Sequence, residues 1–347
     1  MSIRWALLGP GRHAARSVIP QLRQAADTEL VAVMSRDAER GAGLARQHGI
    51  PRAYTTIEEV LRDPGIDAIY DATPDGLHAP HAIAAAAAGK HALIEKPLAL
   101  SVREAKAAIA ASARTGTRLG VVFNQRHEAV HQEARRLVQQ GAIGEVKLAY
   151  VSIPLRAATP RGAGAPTTWR NDPAFRAGGV LVSIGDHAYD TLAYLLGQEI
   201  ETVCAFTDAS QSDPPNERAA SMLLKLSRGA IGYASASFVT PFARRPFEIH
   251  GTAGSLIIEN SYTYLTGAPD EAMPTLTLVS EAGTTVKLFA PSECFRLEVE
   301  QFNRAIAGEG EPMTPAADGL RALAIGAALY ESVHTGRSCQ VADFLSP

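Results

Sequence analysis

The clearest chemical pattern lies near the amino terminus. Gly9-Pro-Gly11-Arg-His-Ala14 fits G-x-G-x-x-A, set between a short apolar run and a segment of helical periodicity. In such a pattern the first glycine makes a tight turn and the second lets the backbone approach a pyrophosphate. The small last residue lets helix and strand touch. Helix N-terminal N–H groups then face the phosphates. The strand–turn–helix context makes the motif strong where it would be weak alone. Gly9, Gly11, Arg12 and His13 are therefore expected to bind a dinucleotide.

The residues that choose between coenzymes sit at the end of the second strand. Sites for NAD usually place Asp or Glu there, on the ribose 2′-OH. Here the positions read Ser35-Arg36-Asp37, with Arg40 a turn later. A small hydroxyl followed by guanidinium groups suits a 2′-phosphate, which an acid would repel. NADP(H) is predicted to be preferred, with NAD(H) left open. The alternative is that Arg36 and Arg40 are solvated charges paired with Asp37 or Glu39.

A competing pattern is His127-Glu128-Ala-Val-His131, which fits the H-E-x-x-H of zinc proteases. Two histidines at i and i+4 share a helix face, but a catalytic zinc needs a third ligand. Leu137 stands where the extended motif needs histidine, and Glu145 lies beyond a Gly141–Gly144 helix stop. No metal is expected, and His127 and His131 read as polar residues near a domain junction.

Elements to position these residues follow from the chain as a whole. Its 347 residues suggest two domains. With 46% hydrophobic and 20% charged residues and a mean hydropathy of −0.02, it is an ordinary globular chain. A net charge of −3 supplies no basic field for nucleic acid. Three scattered cysteines and the absence of a signal peptide or a spanning segment predict a cytoplasmic protein with no membrane association.

Up to Phe123, short apolar runs alternate with amphipathic segments. Runs at Arg4–Gly9, Leu30–Ser35, Ala68–Ala72, His91–Ile94 and Arg118–Phe123 read as strands. Segments at Ala14–Ala26, Asp37–His48, from Thr56, His78–Ala88 and Ser101–Thr115 read as helices, with Thr56/Glu59 and Ser101/Glu104 as N-terminal capping pairs. This alternation predicts an α/β fold with a doubly wound parallel sheet of Rossmann type over residues 1–123. From 124 to 347 the rhythm becomes a series of β-like stretches, one of them Leu276–Leu288, with a helix at Asp186–Leu196 and two closing helices. That half is predicted to be an α+β domain with an open, mostly antiparallel sheet. Its last helix is a candidate to pack back on the first domain. The Gly/Pro-rich stretch Ala157–Pro173 is a candidate substrate segment.

Over nearly its whole length the chain resembles the glucose–fructose oxidoreductase / inositol dehydrogenase (Gfo/Idh/MocA) family. The resemblance is carried by Ala72-Thr73-Pro74…Leu77-His78, Ala88-Gly89-Lys90-His91, Glu95-Lys96-Pro97, Trp169-Arg170, Gly178-Gly179…Ser183-Ile184-Gly185-Asp186-His187…Asp190 and Gly251-Thr252-Ala253-Gly254-Ser255. The opening residues, Ser35-Arg36 and Asn124…Arg126 look most like the family's NADP-dependent sugar reductases.

The resemblance implies hydride transfer between nicotinamide and a carbon of a sugar-like small molecule. Such a carbon must lie about 3–3.5 Å from the hydride-carrying carbon, and its oxygen needs a proton donor. Lys96 and His187 are the implied catalytic pair. The resemblance further implies coenzyme contacts from Thr73, Pro74, Leu77, His78, Glu95, Lys96, Asn124, Arg126, Trp169 and Arg170. Substrate contacts are implied for Arg170, Ser183, Asp186 and Asp190. One departure stands out. The family usually has Asp four residues before the histidine, where this chain has Ser183, a residue that cannot act as a carboxylate base. That exchange motivates the alternative of a coenzyme-binding sensor without turnover. The apolar face of an open sheet needs a cover, which predicts a homodimer or homotetramer.

Overall fold

In a computed structural model, residues 2–154, 172–208, 216–240, 247–261 and 273–345 are described. Their contacts divide the chain into two units. The first holds residues 2–124, 172–177 and Glu293–Leu323; the second holds the remainder.

The first unit is built on six strands: β1 (Ile3–Leu8), β2 (Thr28–Met34), β3 (Arg52–Tyr54), β4 (Ala68–Asp71), β5 (His91–Glu95) and β6 (Leu119–Val122). They lie in the order β3-β2-β1-β4-β5-β6, and every pair is parallel. This is the doubly wound dinucleotide-binding order, in which the strand carboxyl ends face the ligand. The strands read as apolar runs because both faces are covered: Trp5–Leu8 of β1 and all of β4 are buried. Strand β3, three residues long and partly polar, has too weak a pattern to be read from sequence.

The capping residues act as expected. Thr56 and Glu59 form a reciprocal capping box on Ile57–Arg62, and the Ser101 hydroxyl accepts from Glu104 N. The first crossover differs from its predicted Ala14–Ala26 helix. It opens with a π-helical turn, Ala14–Val18, and ends after Ile19–Leu22. The edge of β6 is closed by the returning chain: Val121 N donates to Thr314 O at 3.0 Å and Phe123 N to Glu298 Oε1 at 3.0 Å. A Cβ on Gly120 would lie 2.8 Å from the Phe302 ring, so glycine lets the helix Cys294–Ile306 sit on that strand.

The second unit is organised by a nine-stranded sheet. Its strands are β7 (Val146–Pro154), β8 (Ile200–Thr207), β9 (Ala219–Leu226), β10 (Ile231–Ser237), β11 (Phe247–Gly251), β12 (Gly254–Glu259), β13 (Thr275–Ser280), β14 (Gly283–Leu288) and β15 (Cys339–Gln340). The order is β14-β13-β12-β11-β7-β10-β9-β8-β15, antiparallel except for β7 with β10. The predicted single stretch Leu276–Leu288 is a hairpin that turns into Gly283 at φ 117°. Gly251 and Gly254 flank the two-residue turn between β11 and β12, as expected for a sheet turn. One face of the sheet packs on the helix Gly185–Leu196. The other exposes Leu148, Tyr150, Leu223, Ile231, Tyr233 and Phe206. In register, Leu148 faces Ile231, Tyr150 faces Tyr233, and Tyr233 faces Leu223. Among the described residues no helix is long and apolar enough to cross a membrane.

Candidate active site

In the first unit the expected residues gather at the carboxyl ends of the parallel strands. Gly9 leaves β1 at φ +67°, and a Cβ there would lie 2.7 Å from Thr73 Cα and 2.8 Å from the Ala72 carbonyl oxygen. The β1 turn and the β4 exit thus touch backbone to backbone. Gly11 is different: the nearest atom to a Cβ built on it is 3.8 Å away, so its bareness answers to nothing inside the protein. Ala14 is buried where the following turn meets the sheet, and the Ala15 N–H donates to the Gly11 carbonyl at 2.9 Å. A backbone turn pressed onto the sheet with an open second glycine fits a bound pyrophosphate.

At the end of β2, Ser35 is buried while Arg36, Asp37 and Arg40 are exposed. Asp37 caps the helix Ala38–His48 by accepting from Arg40 N at 3.0 Å. The Arg40 guanidinium reaches the other way and donates to the Pro10 carbonyl at 2.6 Å. Arg40 is thereby tied to the glycine turn itself.

Glu95, at the end of β5, is a hub. Its Oε1 accepts from the Tyr70 hydroxyl at 2.8 Å and lies 3.6 Å from His13 Nε2. Burial alone would raise its pKa; His13, Tyr70 and the neighbouring Lys96 more than offset this and hold the carboxyl below its ordinary value. Lys96 follows at half-buried exposure, joined to Pro97 by a cis peptide bond.

Pro74 precedes the helix Asp75–Ala87, which starts three residues earlier than predicted, and Leu77 N donates to Pro74 O at 2.8 Å. Residues 172–177 lie against this helix start: a Cβ on Gly76 would meet the Ala174 carbonyl at 2.2 Å, and Ala177 N donates to Asp75 Oδ2 at 3.1 Å. Trp169, Arg170 and most of the Ala157–Pro173 stretch lie outside the described residues.

Beneath Thr73 is a cluster that pattern reading missed. Asp71 is fully buried; its Oδ1 accepts from Thr73 N at 2.9 Å and Thr73 Oγ1 at 2.6 Å, and its Oδ2 pairs with His81 Nδ1 at 2.9 Å. Burial would raise its pKa, but the His81 hydrogen bond and the charges of His78 and His81 keep it below its usual range. The only sequence sign was a carboxylate closing the apolar run Ala68-Ile-Tyr-Asp71.

In the second unit, His187 is buried in the first turn of Gly185–Leu196. Asp186 is buried beside it and accepts the His187 N–H at 2.8 Å. Ser183 ends the short helix Val180–Ser183 and is partly exposed. That helix is held by Glu217, another residue missed from sequence, whose Oε1 accepts from Leu181 N at 2.8 Å and from the Tyr330 hydroxyl at 3.0 Å. A Cβ on Gly179 would lie 2.2 Å from this carboxylate, which explains one glycine of the Gly178-Gly179 pair.

Arg126 and Asp190 are brought together as a buried pair, with Arg126 Nε donating at 3.0 Å. Asn124 starts the 3-10 turn that follows β6 and is buried. His127, Glu128 and His131 are also buried. His131 Nδ1 donates to the Gln125 carbonyl at 2.8 Å, and its ring tilts against Phe247. Among the described residues no group of three His, Cys, Asp or Glu side chains is placed to hold a metal ion.

Comparison with known proteins agrees with this architecture. Residues 3–123 match the profile described as "Oxidoreductase family, NAD-binding Rossmann fold", and residues 131–257 match the GFO/IDH/MocA C-terminal domain. The chain is 33% identical to 1,5-anhydro-D-fructose reductase of Ensifer adhaerens over 97% of its own length and 98% of that protein. It is 30% identical to D-xylose 1-dehydrogenase (NADP(+)) 2 of Haloferax volcanii, covering 97% and 99%. The crystal structure of aldose-aldose oxidoreductase from Caulobacter crescentus, complexed with glycerol, superposes with a TM-score of 0.86 at 26% identity, covering 98% and 100%. With both profiles in order along one chain and relatives matched end to end, the chain belongs to the Gfo/Idh/MocA family and is an oxidoreductase built on a nicotinamide-dinucleotide-binding Rossmann domain.

Proposed function

We propose that the protein transfers hydride between NADP(H) and a CH–OH/C=O carbon of a sugar or sugar-derived polyol. The observation that carries this reading is the gathering of the Gly9 turn, Thr73 and the Glu95-Lys96-Pro97 exit at one edge of the parallel sheet. The relatives named above act on sugars, and nothing favours a coenzyme-binding protein without turnover.

In this reading Gly9, Gly11, Arg12 and His13 hold the pyrophosphate, Thr73, Pro74 and Leu77 run under the riboses, and Asn124 approaches the nicotinamide. When bound, the coenzyme supplies or accepts the hydride. Lys96 holds the proton exchanged with the substrate oxygen, and Glu95, bound to Tyr70 and beside His13, fixes the backbone that carries Lys96. His187 is the second proton-handling group, its main-chain N–H fixed by Asp186. Ser183 and Arg170 bind substrate hydroxyls, and Trp169 borders the nicotinamide. Arg126 and Asp190 satisfy one another, and their role is to hold the 3-10 turn after β6.

Preference for NADP(H) is supported by the lack of an acid at Ser35 and the exposed Arg36 beside it. A homo-oligomer formed through the Leu148–Tyr233 face is part of the same reading; a monomer mass by sedimentation at micromolar concentration would overturn that part. The reading as a whole is tested by turnover. Lys96→Ala is expected to lower kcat by at least about a hundredfold on a responsive keto sugar while leaving NADPH affinity nearly intact. Unchanged kcat removes Lys96 from the reaction.

A further inference from the structure

His78 is 1% exposed, and both of its ring nitrogens meet carbonyl oxygens: Nδ1 lies 2.7 Å from Pro97 O, and Nε2 lies 2.9 Å from Thr73 O. Carbonyl oxygens only accept, so a ring serving both must carry a proton on each nitrogen. A neutral imidazole would press one lone pair against a carbonyl in a site closed to water, at the cost of an unmade hydrogen bond.

The two carbonyls belong to different loops. Pro97 sits next to Lys96 on the β5 exit, and Thr73 lies under the Gly9 turn on the β4 exit. Thr73 is also gripped by Asp71 through its amide and its hydroxyl, so it stays anchored whatever happens at His78. A change at His78 removes the hydrogen bond to the Pro97 carbonyl, beside Lys96.

We propose that His78 is a positioning residue that acts as a doubly donating staple, tying the Lys96–Pro97 loop to the anchored Thr73 and thereby setting where the Lys96 ammonium stands. This rests on the reading of Lys96 as the proton-handling group. The neighbouring carboxylate is Asp71, fully buried and paired with His81 one turn along the same helix. Lys96 is the charged residue adjacent in sequence to the stapled carbonyl.

Two measurements test it. The first is a 15N–1H correlation spectrum of the whole protein labelled at histidine, with the His78 signals assigned by their loss in His78→Gln or, equally, in His78→Phe. At pH 7.5 both His78 nitrogens are expected to show N–H-type shifts; one protonated and one bare nitrogen overturns the staple. The second is kinetics. Gln can serve only one carbonyl, so His78→Gln is expected to lower kcat by roughly tenfold or more with NADPH affinity within about threefold of wild type. His78→Phe, which serves neither, is expected to lose more. Wild-type kcat in both variants overturns the proposal, and if either fails to fold the spectrum of the wild-type protein still decides it. The two readings fail separately: unchanged turnover in Lys96→Ala removes the proton donor and leaves the nitrogen spectrum as it was.

Discussion

Arg126 grips the Asp190 carboxylate with two guanidinium nitrogens across a sequence separation of 64 residues, and the two side chains are only 9% and 6% exposed. The guanidinium also lies 5.1 Å from the centre of the Tyr194 ring. Removing one partner of such a pair strands a buried charge, whereas replacing both with apolar groups can be nearly neutral. Arg126→Met is expected to destabilise by about 3–5 kcal/mol in urea denaturation. The double variant Arg126→Met/Asp190→Leu is expected to lose clearly less than the sum of the single losses. Additive losses would show that the pair is not coupled.

The two arginines after β2 are expected to behave differently. Arg40 is bonded to the Pro10 carbonyl of the glycine turn, while Arg36 is exposed beside Ser35. Arg36→Ala should weaken NADPH by roughly tenfold to a hundredfold and leave NADH almost unchanged, because only NADPH carries the 2′-phosphate. Arg40→Ala should weaken both by similar factors, because it loosens the turn that both use. Equal losses in Arg36→Ala, measured by fluorescence titration, would show that Arg36 does not read the phosphate.

Gly9 and Gly11 offer a second separation. At Gly9 a Cβ would collide with Thr73 Cα at 2.7 Å on a backbone of φ +67°, so Gly9→Ala should lower Tm measurably as well as weaken coenzyme binding. At Gly11 the nearest atom is 3.8 Å away, so Gly11→Ala should keep the wild-type Tm and still weaken coenzyme binding by tenfold or more, on the order expected for blocking backbone approach to the pyrophosphate. Wild-type coenzyme affinity in Gly11→Ala would remove the turn from the binding site.

Stability should depend on pH through His131. Burial lowers its pKa to about 4, against an ordinary value of 6.5. Below pH 6.5 the unfolded chain takes up a proton that the folded chain refuses until about pH 4. The contribution of this group is therefore complete above pH 6.5, falls as the pH drops through that window, and amounts to on the order of 3 kcal/mol. His131→Gln keeps a donor for the Gln125 carbonyl but does not titrate. Urea denaturation at pH 7 and pH 4.5 should show a smaller drop for this variant than for wild type; equal drops would mean that His131 protonates as easily folded as unfolded.

Local order was legible because its causes are local. Apolar runs marked the strands of the first sheet, Thr56/Glu59 and Ser101/Glu104 marked helix starts, and Gly9-Pro-Gly11 marked the turn. A three-residue strand such as β3, or the two-residue β15, offers too few positions for a period to show. The sequence alone determined the fold class, the family and the identity of the residues at the strand exits. Tertiary structure decided what those residues do to one another. Nothing within a few residues of Arg126 foretells that its partner is Asp190, and nothing near His78 foretells that both its nitrogens are claimed by carbonyls of separate loops. Burial leaves every polar group in search of a partner, and only the folded chain brings residues distant in sequence within hydrogen-bonding reach.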